Sequence, residues 1–467
     1  MKNKAKIFEF LYKNSSESYN INQISRLIGI SVGSSFKILK EFERLGYVNA
    51  NKKNNALLYR INLADRTKKF YEQLEEEENR RSRKKTKIIC TISPHSNSAI
   101  LKKLMEKGMD VARIDISDCD EKTAIKMLEA IRQASADIPV LIDISDLKSN
   151  KRWIKFALKN DLDFVAVLAE RAEDVTETNK ILGYNDLKQI IGDKIKVIAR
   201  IGGKSLRNYR EIIEKAYGAV IDRTNLLPND KIEMLPKLQK EIIDECNKFG
   251  KPVIIAGNVL NSMVKDDCPM QSEIHDISNA VFEGASCIML SEETKSGKYP
   301  IESVNMLSKI IKNAETGKIE AHGPENASYD LTRFIGNAVS ELEKLFHTDA
   351  LLIITSGGYS ARMVSSRRLK CKTMAATSRR KIFRQLHLLW GIEPLHAGIN
   401  SEDIANNDKK EVILQALKKG FIRKRDQIAI IASIFHSKYK RTNLLEIHNV
   451  NEFLDYLNKN KKLGIKV

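Results

Sequence analysis

Residues 251–300 read KPVIIAGNVLNSMVKDDCPMQSEIHDISNAVFEGASCIMLSEETKSGKYP, and two short apolar runs inside them, Val253 to Ala256 and Cys287 to Leu290, set the architecture. Each is the length of a buried strand. Toward the N-terminus the pattern recurs, with strand-like runs at Ile88 to Ile92, Val111 to Ile116, Pro139 to Ile144, Phe164 to Leu168, Lys196 to Ile201 and Ala219 to Asp222. Helical segments alternate with them. Ser98 to Lys107 shows helical spacing most clearly, with Ile100, Leu101, Leu104 and Met105 on one stripe. Eight runs are the count for a closed parallel barrel.

Bulk composition sets the outer bounds. A chain of 467 residues accommodates about three domains. Its 42% hydrophobic and 30% charged content is that of an ordinary globular protein. No stretch approaches the roughly 18 apolar residues of a membrane helix, and the start, MKNKAKIFEFLYKN, lacks the pattern of a secretion signal. A cytoplasmic protein without a membrane partner is expected. The six cysteines show no C-x-x-C pair and no zinc-like spacing, so they read as structural thiols. The net charge of +19 has two explanations, a polyanionic partner or a lysine-rich surface set by genome composition or a hot habitat.

Residues 1–63 form a separate unit. Ile7, Phe8, Phe10 and Leu11 mark a first helix. Asn22 is the expected cap of a second, Gln23 to Ile28, with Ile24, Leu27 and Ile28 inward. After the turn at Gly29 and Ile30, Ser31 caps a third helix whose Phe36, Leu39 and Phe42 lie on one side, with Ser34, Ser35, Lys37 and Lys40 largely elsewhere. Two β-prone runs, Tyr47 to Asn49 and Leu57 to Ile61, flank a basic tip at Lys52 and Lys53. This order, and QISRLIGISVGSSFKILKEFERLGYV in particular, resembles winged helix-turn-helix domains of bacterial and archaeal regulators. The resemblance implies DNA as partner, met by Ser34, Ser35, Lys37, Lys40, Lys52 and Lys53. A protein-binding adaptor of the same shape is the alternative. Residues 64–83 read as a helical linker, either solvated or paired with its copy in a dimer.

The remainder resembles the pyruvate kinase family. Lys85 to Pro94, KTKIICTISP, matches the family opening R/K-TKI-V-CTIGP, and residues 251–300 match its KPVI-x-ATQ-ML and MLSGETAxGxYP words. Thr348-Asp349-Ala350, Ala375-Ala376-Thr377, Arg384-Gln385-Leu386 and Gly391-Ile392-Glu393-Pro394 match markers of its C-terminal domain. The resemblance implies an α/β protein: a winged helix-turn-helix, then a TIM (β/α)8 barrel over 84–325, then a C-terminal α/β domain over 326–467. The family's lid domain of about a hundred residues, which closes over the nucleotide, is missing. Ile144 is followed almost at once by the helical segment from Lys151.

Several residues that carry the family's chemistry are replaced. The family's fifth strand ends K-I-E, where Lys stabilises the transferring phosphoryl group and Glu holds a divalent metal; here Arg200-Ile201-Gly202 stand there. Its A-R-G-D-L-G becomes Asp222-Arg223-Thr224-Asn225-Leu226-Leu227, with Asn225 in place of the second metal carboxylate, and Gly257 removes the hydroxyl of ATQ. No catalytic residue is assigned and weak binding of Mg²⁺ follows. Arg113 matches a phosphate-binding arginine. Ser117 and Asp143 match ligands of a monovalent cation, K⁺, and Asp115 replaces a third. These residues read either as a surviving ion pocket or as hydrogen-bonding groups at strand ends. A metal site rebuilt from Asp115, Asp143 and Asp222 is a further alternative. Thr355, Ser356, Gly357, Gly358 and Ser360 match the family's sugar-phosphate effector loop, with Arg379, Arg380, Lys381 and Arg384 nearby as sources of charge or as a solvated basic face.

The reading that follows is a DNA-binding transcription regulator, homo-oligomeric, whose sensory part is a pyruvate kinase-like pseudoenzyme that takes a phosphorylated effector. A divergent pyruvate kinase or other phosphotransferase, and a non-catalytic protein-binding scaffold, are the competing classes.

Overall fold

The computed structural model describes residues 2–53, 56–65, 67–68, 70, 84–117, 119–144, 151–183, 193–227, 229–317, 331–346, 348–399, 406–433 and 442–462. The chain divides into two compact units, Met1–Arg83 and Lys84–Val467. Among the described residues no helix is long and apolar enough to cross a membrane.

The first unit holds helices α1 (Lys2–Lys13), α2 (Ile21–Ile28) and α3 (Val32–Arg44) with strands β1 (Tyr19–Asn20), β2 (Val48–Lys53) and β3 (Ala56–Ile61). The strands form an antiparallel sheet in the order β1-β3-β2. Asn20, rather than the expected Asn22, caps α2: its side chain accepts from the Gln23 amide at 2.9 Å, while Gln23 Oε1 accepts from the Asn20 amide at 2.9 Å. This reciprocal pair satisfies two helix-end donors and starts the helix one residue before Asn22. Gly29 at φ 65° ends it, and Ser31 caps α3 as expected. Ile7, Phe8, Leu11, Ile24, Leu39, Phe42 and Tyr59 fill the core. Two inward assignments and one outward one change. Leu27 is 56% exposed, since α2 buries Ile24 and Ser25, and Phe36 is 50% exposed whereas Ser35 is fully buried, because the inner stripe of α3 is Ser35, Ile38, Leu39 and Phe42. Most of the expected linker helix at 64–83 lies outside the described residues.

The second unit opens with strands β4 (Lys87–Thr91), β5 (Val111–Asp115), β6 (Val140–Ile144), β7 (Phe164–Leu168), β8 (Lys196–Ile201), β9 (Gly218–Asp222), β10 (Val253–Ala256) and β11 (Cys287–Leu290). Every neighbouring pair is parallel, and β11 pairs with β4 to close the barrel. Helices pack outside, where Leu104, Met127, Ile154, Ile213, Ile243 and Leu307 join the apolar layer around the sheet. The interior is filled by Ile89, Val111, Leu141, Ile198, Val220, Ile254 and Met289. Side chains alternate across a strand, so Arg113, Asp143, Arg200 and Asp222 follow Val111, Leu141, Ile198 and Val220 by two residues and face inward one layer nearer the mouth.

The C-terminal part is a five-stranded sheet in the order β14-β13-β12-β15-β16, from β12 (Ala350–Ile354), β13 (Lys372–Thr377), β14 (Ile392–His396), β15 (Gln427–Ala432) and β16 (Leu444–Asn449). Only β16 runs antiparallel. This sheet domain docks under the barrel at the N-terminal ends of its strands. Leu388 joins the barrel interior, Lys87 Nζ donates to the Ile392 carbonyl at 2.9 Å, and Gln385 donates to the Asp163 and Lys194 carbonyls. The expected boundary at 325 lies outside the described residues.

Candidate ligand site at the barrel mouth

The C-terminal rim of the barrel carries a continuous network of charges. Arg113, almost wholly buried, donates from Nε to Asp143 Oδ2 at 2.9 Å, from Nη1 to Thr91 Oγ1 at 2.8 Å and from Nη2 to Asp115 Oδ2 at 3.0 Å. Thr91 Oγ1 in turn donates to the Leu290 carbonyl at 2.9 Å. Arg200 reaches across to Asp143 Oδ1 at 3.3 Å and Asp222 Oδ2 at 2.7 Å. Two guanidiniums therefore occupy both oxygens of Asp143.

Asp222 is equally committed. Thr224 Oγ1 donates to its Oδ1 at 2.6 Å and Asn225 Nδ2 to its Oδ2 at 2.9 Å. Burial alone would raise the Asp222 carboxyl, but Arg200 and these hydrogen bonds more than offset it and hold it below the usual carboxylate range. Asp115 behaves alike: against the upward push of burial, Arg113 and two hydrogen bonds from Ser117 keep it low. Burial would lower Arg200, yet Asp143 and Asp222 raise it above its ordinary value.

A metal fits this donor set poorly. Gly202 contributes no side chain, Asn225 turns its NH₂ toward Asp222, and Asp143 and Asp222 already hold cationic or neutral N–H and O–H donors. A cation at Asp115, Ser117 and Asp143 would have to displace Arg113, and one rebuilt from Asp115, Asp143 and Asp222 would have to displace both arginines. Among the described residues no group of three or more His, Cys, Asp or Glu side chains converges to hold a metal ion. The internal guanidiniums take the place such a cation would need.

The loop at Gly257 is fixed from three sides. Gly257 has φ 87°. Arg223 donates to the Gly257 carbonyl at 2.7 and 3.0 Å and pairs with Asp276 at 2.5 Å. Buried Glu293 accepts from the amides of Leu260 and Ser291 at 2.9 and 2.7 Å. Thr91 and Glu293 are contributors that the sequence did not single out, and Thr224, expected only to crowd the backbone, also hydrogen-bonds Asp222.

The C-terminal loop is more closed than its sequence implied. Thr355 Oγ1 accepts from the Gly358 amide at 3.0 Å, and Ser360 is hydrogen-bonded to Thr442. The Ser360 hydroxyl and one amide of the expected phosphate cradle are engaged inside the protein, and Thr355 Oγ1 is held as an acceptor; Ser356 and Gly357 stay partly exposed. The basic stretch expected to serve that loop faces the barrel instead. Arg380 pairs with Asp137 at 2.8 Å, Lys381 with Asp161 at 2.6 Å, and Arg384 with Asp161 and Asp163 at 2.8 and 2.7 Å. Arg379 lies 3.6 Å from Asp193. In the first unit Ser34, Lys37, Lys40 and Lys52 are exposed or half-exposed. Ser35 is removed from the DNA-contact set, since its hydroxyl accepts from Ser25 Oγ at 2.9 Å inside the core. The side chain of Lys53 lies outside the described residues.

Comparison with known proteins agrees with this architecture. The family model for the pyruvate kinase barrel domain matches residues 83–151 and 140–304, two segments that meet around the short connection after β6, and the model for the pyruvate kinase alpha/beta domain matches residues 334–448. The chain belongs to the pyruvate kinase family. It is 31% identical to the pyruvate kinase of Sporosarcina psychrophila over 64% of this chain and 51% of that protein. To the pyruvate kinase of Clostridium acetobutylicum it is 30% identical, over 65% of this chain and 64% of that protein. It is 30% identical to the Geobacillus stearothermophilus pyruvate kinase over 64% of this chain and 51% of that protein. The chain thus spans about half to two thirds of the length of these relatives.

Proposed function

We propose that this chain is a DNA-binding regulator in which a pyruvate kinase-like body recognises a small anionic metabolite without transforming it. The observation that carries the reading is Arg200 bridging Asp143 and Asp222, with Gly202 and Asn225 at the positions that resemble the family's metal carboxylates. Phosphoryl transfer depends on metal-held charge and exclusion of water. A rim whose acids are paired with its own arginines, and whose sixth-strand glycine has become Thr224, is suited to binding. Supporting the DNA-facing half is the first unit, read as a winged helix-turn-helix: the capped α3 with exposed lysines and a basic hairpin beside it.

A metabolite thermal-shift screen with wild type, Arg113→Ala and Gly358→Asp, run beside DNA binding across a salt series, tests both halves. A stabilising phosphorylated or carboxylated metabolite whose effect is lost in one variant, with salt-sensitive duplex binding, is the expected result. Catalysis is the second reading, favoured by the family match and the retained Arg113. It requires ADP- and Mg²⁺-dependent consumption of phosphoenolpyruvate.

A further inference from the structure

We propose that Phe36 is a specificity residue of the DNA-reading surface, packing on the 5-methyl group of thymine in the major groove. The inference rests on the DNA-binding reading above. Helix α3 carries two stripes at i, i+3, i+4, i+7 spacing. Ser35, Ile38, Leu39 and Phe42 form the buried one. Gly33, Phe36, Lys37 and Lys40 form the other, which is exposed.

A half-exposed phenylalanine centred among lysines is informative about its partner. Val32, 46% exposed, adds a second apolar group at the start of the same helix. Residues 31–40 contain no carboxylate, and residues 1–63 carry eleven lysine and arginine residues against four glutamates. The surface therefore fits a partner that is anionic along its rims and apolar at isolated points. Duplex DNA has that form, with phosphates flanking a groove whose apolar features are thymine methyls. An ordinary apolar protein interface would leave Lys37 facing desolvation without a counter-charge, whereas Lys40 is paired with Glu43 at 2.9 Å. At Gly33 no atom lies within 4 Å of where a Cβ would stand, so the start of the helix has open space for close approach.

The test uses the full chain and a duplex selected from a random-sequence pool at low salt. Each thymine in that duplex is then replaced by deoxyuridine, which removes only the methyl. Wild type is expected to bind about four-fold more weakly when the contacted methyl is lost, the effect of one buried carbon. Phe36→Ala is expected to bind the thymine duplex more weakly and to make no distinction between thymine and deoxyuridine, with an unchanged salt slope because the lysines remain. The deoxyuridine comparison in wild type does not depend on how the variant folds. Equal affinity of wild type for every deoxyuridine duplex, with salt-dependent binding retained, would overturn the role of Phe36 and leave the DNA reading intact. Failure to select any duplex at low salt would overturn both.

Discussion

A Cβ placed on Gly257 would stand 2.9 Å from Cγ2 of Thr224, closer than packed atoms approach. The two positions are interlocked: the methyl gained at 224 fills the space that a side chain at 257 would need. Gly257→Thr is therefore expected to destabilise by about 1–3 kcal/mol through overpacking, with further strain from φ 87°. Thr224→Gly in the same chain should relieve only the contact with Cγ2, since the Thr224 amide still lies 3.1 Å from the added Cβ and the hydrogen bond to Asp222 is lost. Urea unfolding of the two single variants and the double separates these contributions.

Arg200 neutralises two buried acids, so Arg200→Met should cost about 3–5 kcal/mol, mostly from leaving Asp143 and Asp222 undercompensated. The sign with pH is fixed by the depressed carboxyls. Asp115 and Asp222 contribute stability that is present above the unfolded carboxylate pKa of about 3.9 and lost as pH falls through their lower folded values. In Arg200→Met the folded value of Asp222 rises toward or past the unfolded one, so the acid-side loss should be smaller than in wild type and end at higher pH. Denaturation midpoints between pH 2 and 6 check this.

Lys196, buried at the foot of β8 near Tyr217 and Arg362, is pushed down to about 7, first by burial and then by the Arg362 charge. Between about pH 7 and the unfolded value of about 10.4 the unfolded chain holds the extra proton, so stability rises with pH across that window. Lys196→Met should flatten the rise. Thermal midpoints measured from pH 6 to 10 distinguish the two proteins.

Arg384 bonds buried Asp163 across the junction of barrel and C-terminal sheet. Arg384→Ala is expected to cost about 3–5 kcal/mol, and Arg384→Ala with Asp163→Asn appreciably less than the sum of the two single changes. A double-mutant cycle by denaturant unfolding gives the coupling.

The barrel strands were readable to within one residue because each is buried on both faces and appears as a continuous apolar run. The mouth was not. Arg113, Arg200, Asp143 and Asp222 were each visible as substituted or retained positions, but their pairing depends on closure of a barrel that brings together residues 22 to 57 positions apart. The same limit misdirected Arg380, Lys381 and Arg384 toward the effector loop, since the acids they meet lie more than two hundred residues upstream. Within α3 both stripes contain apolar residues, so Phe36 competed with Ile38 for the core, and Ser35 looked solvent-facing until Ser25 supplied a buried partner.

Introducing acids at the two positions that resemble the family's metal carboxylates probes whether this rim can hold a metal. A Cβ at Gly202 would make only ordinary contacts, 3.4 Å from the Asn225 carbonyl and 3.6 Å from Leu168 Cδ1. Gly202→Glu with Asn225→Asp should gain a Mg²⁺-dependent rise in thermal midpoint only when Arg200→Lys is added to loosen the hold on Asp143 and Asp222.

The central proposal is that this family member binds a small anionic metabolite and does not transfer a phosphoryl group. The most direct measurement is ATP formation by the purified chain from phosphoenolpyruvate and ADP with saturating Mg²⁺ and K⁺. The account predicts a rate indistinguishable from the protein-free reaction. Turnover that requires Mg²⁺ and disappears in Arg113→Ala would contradict it.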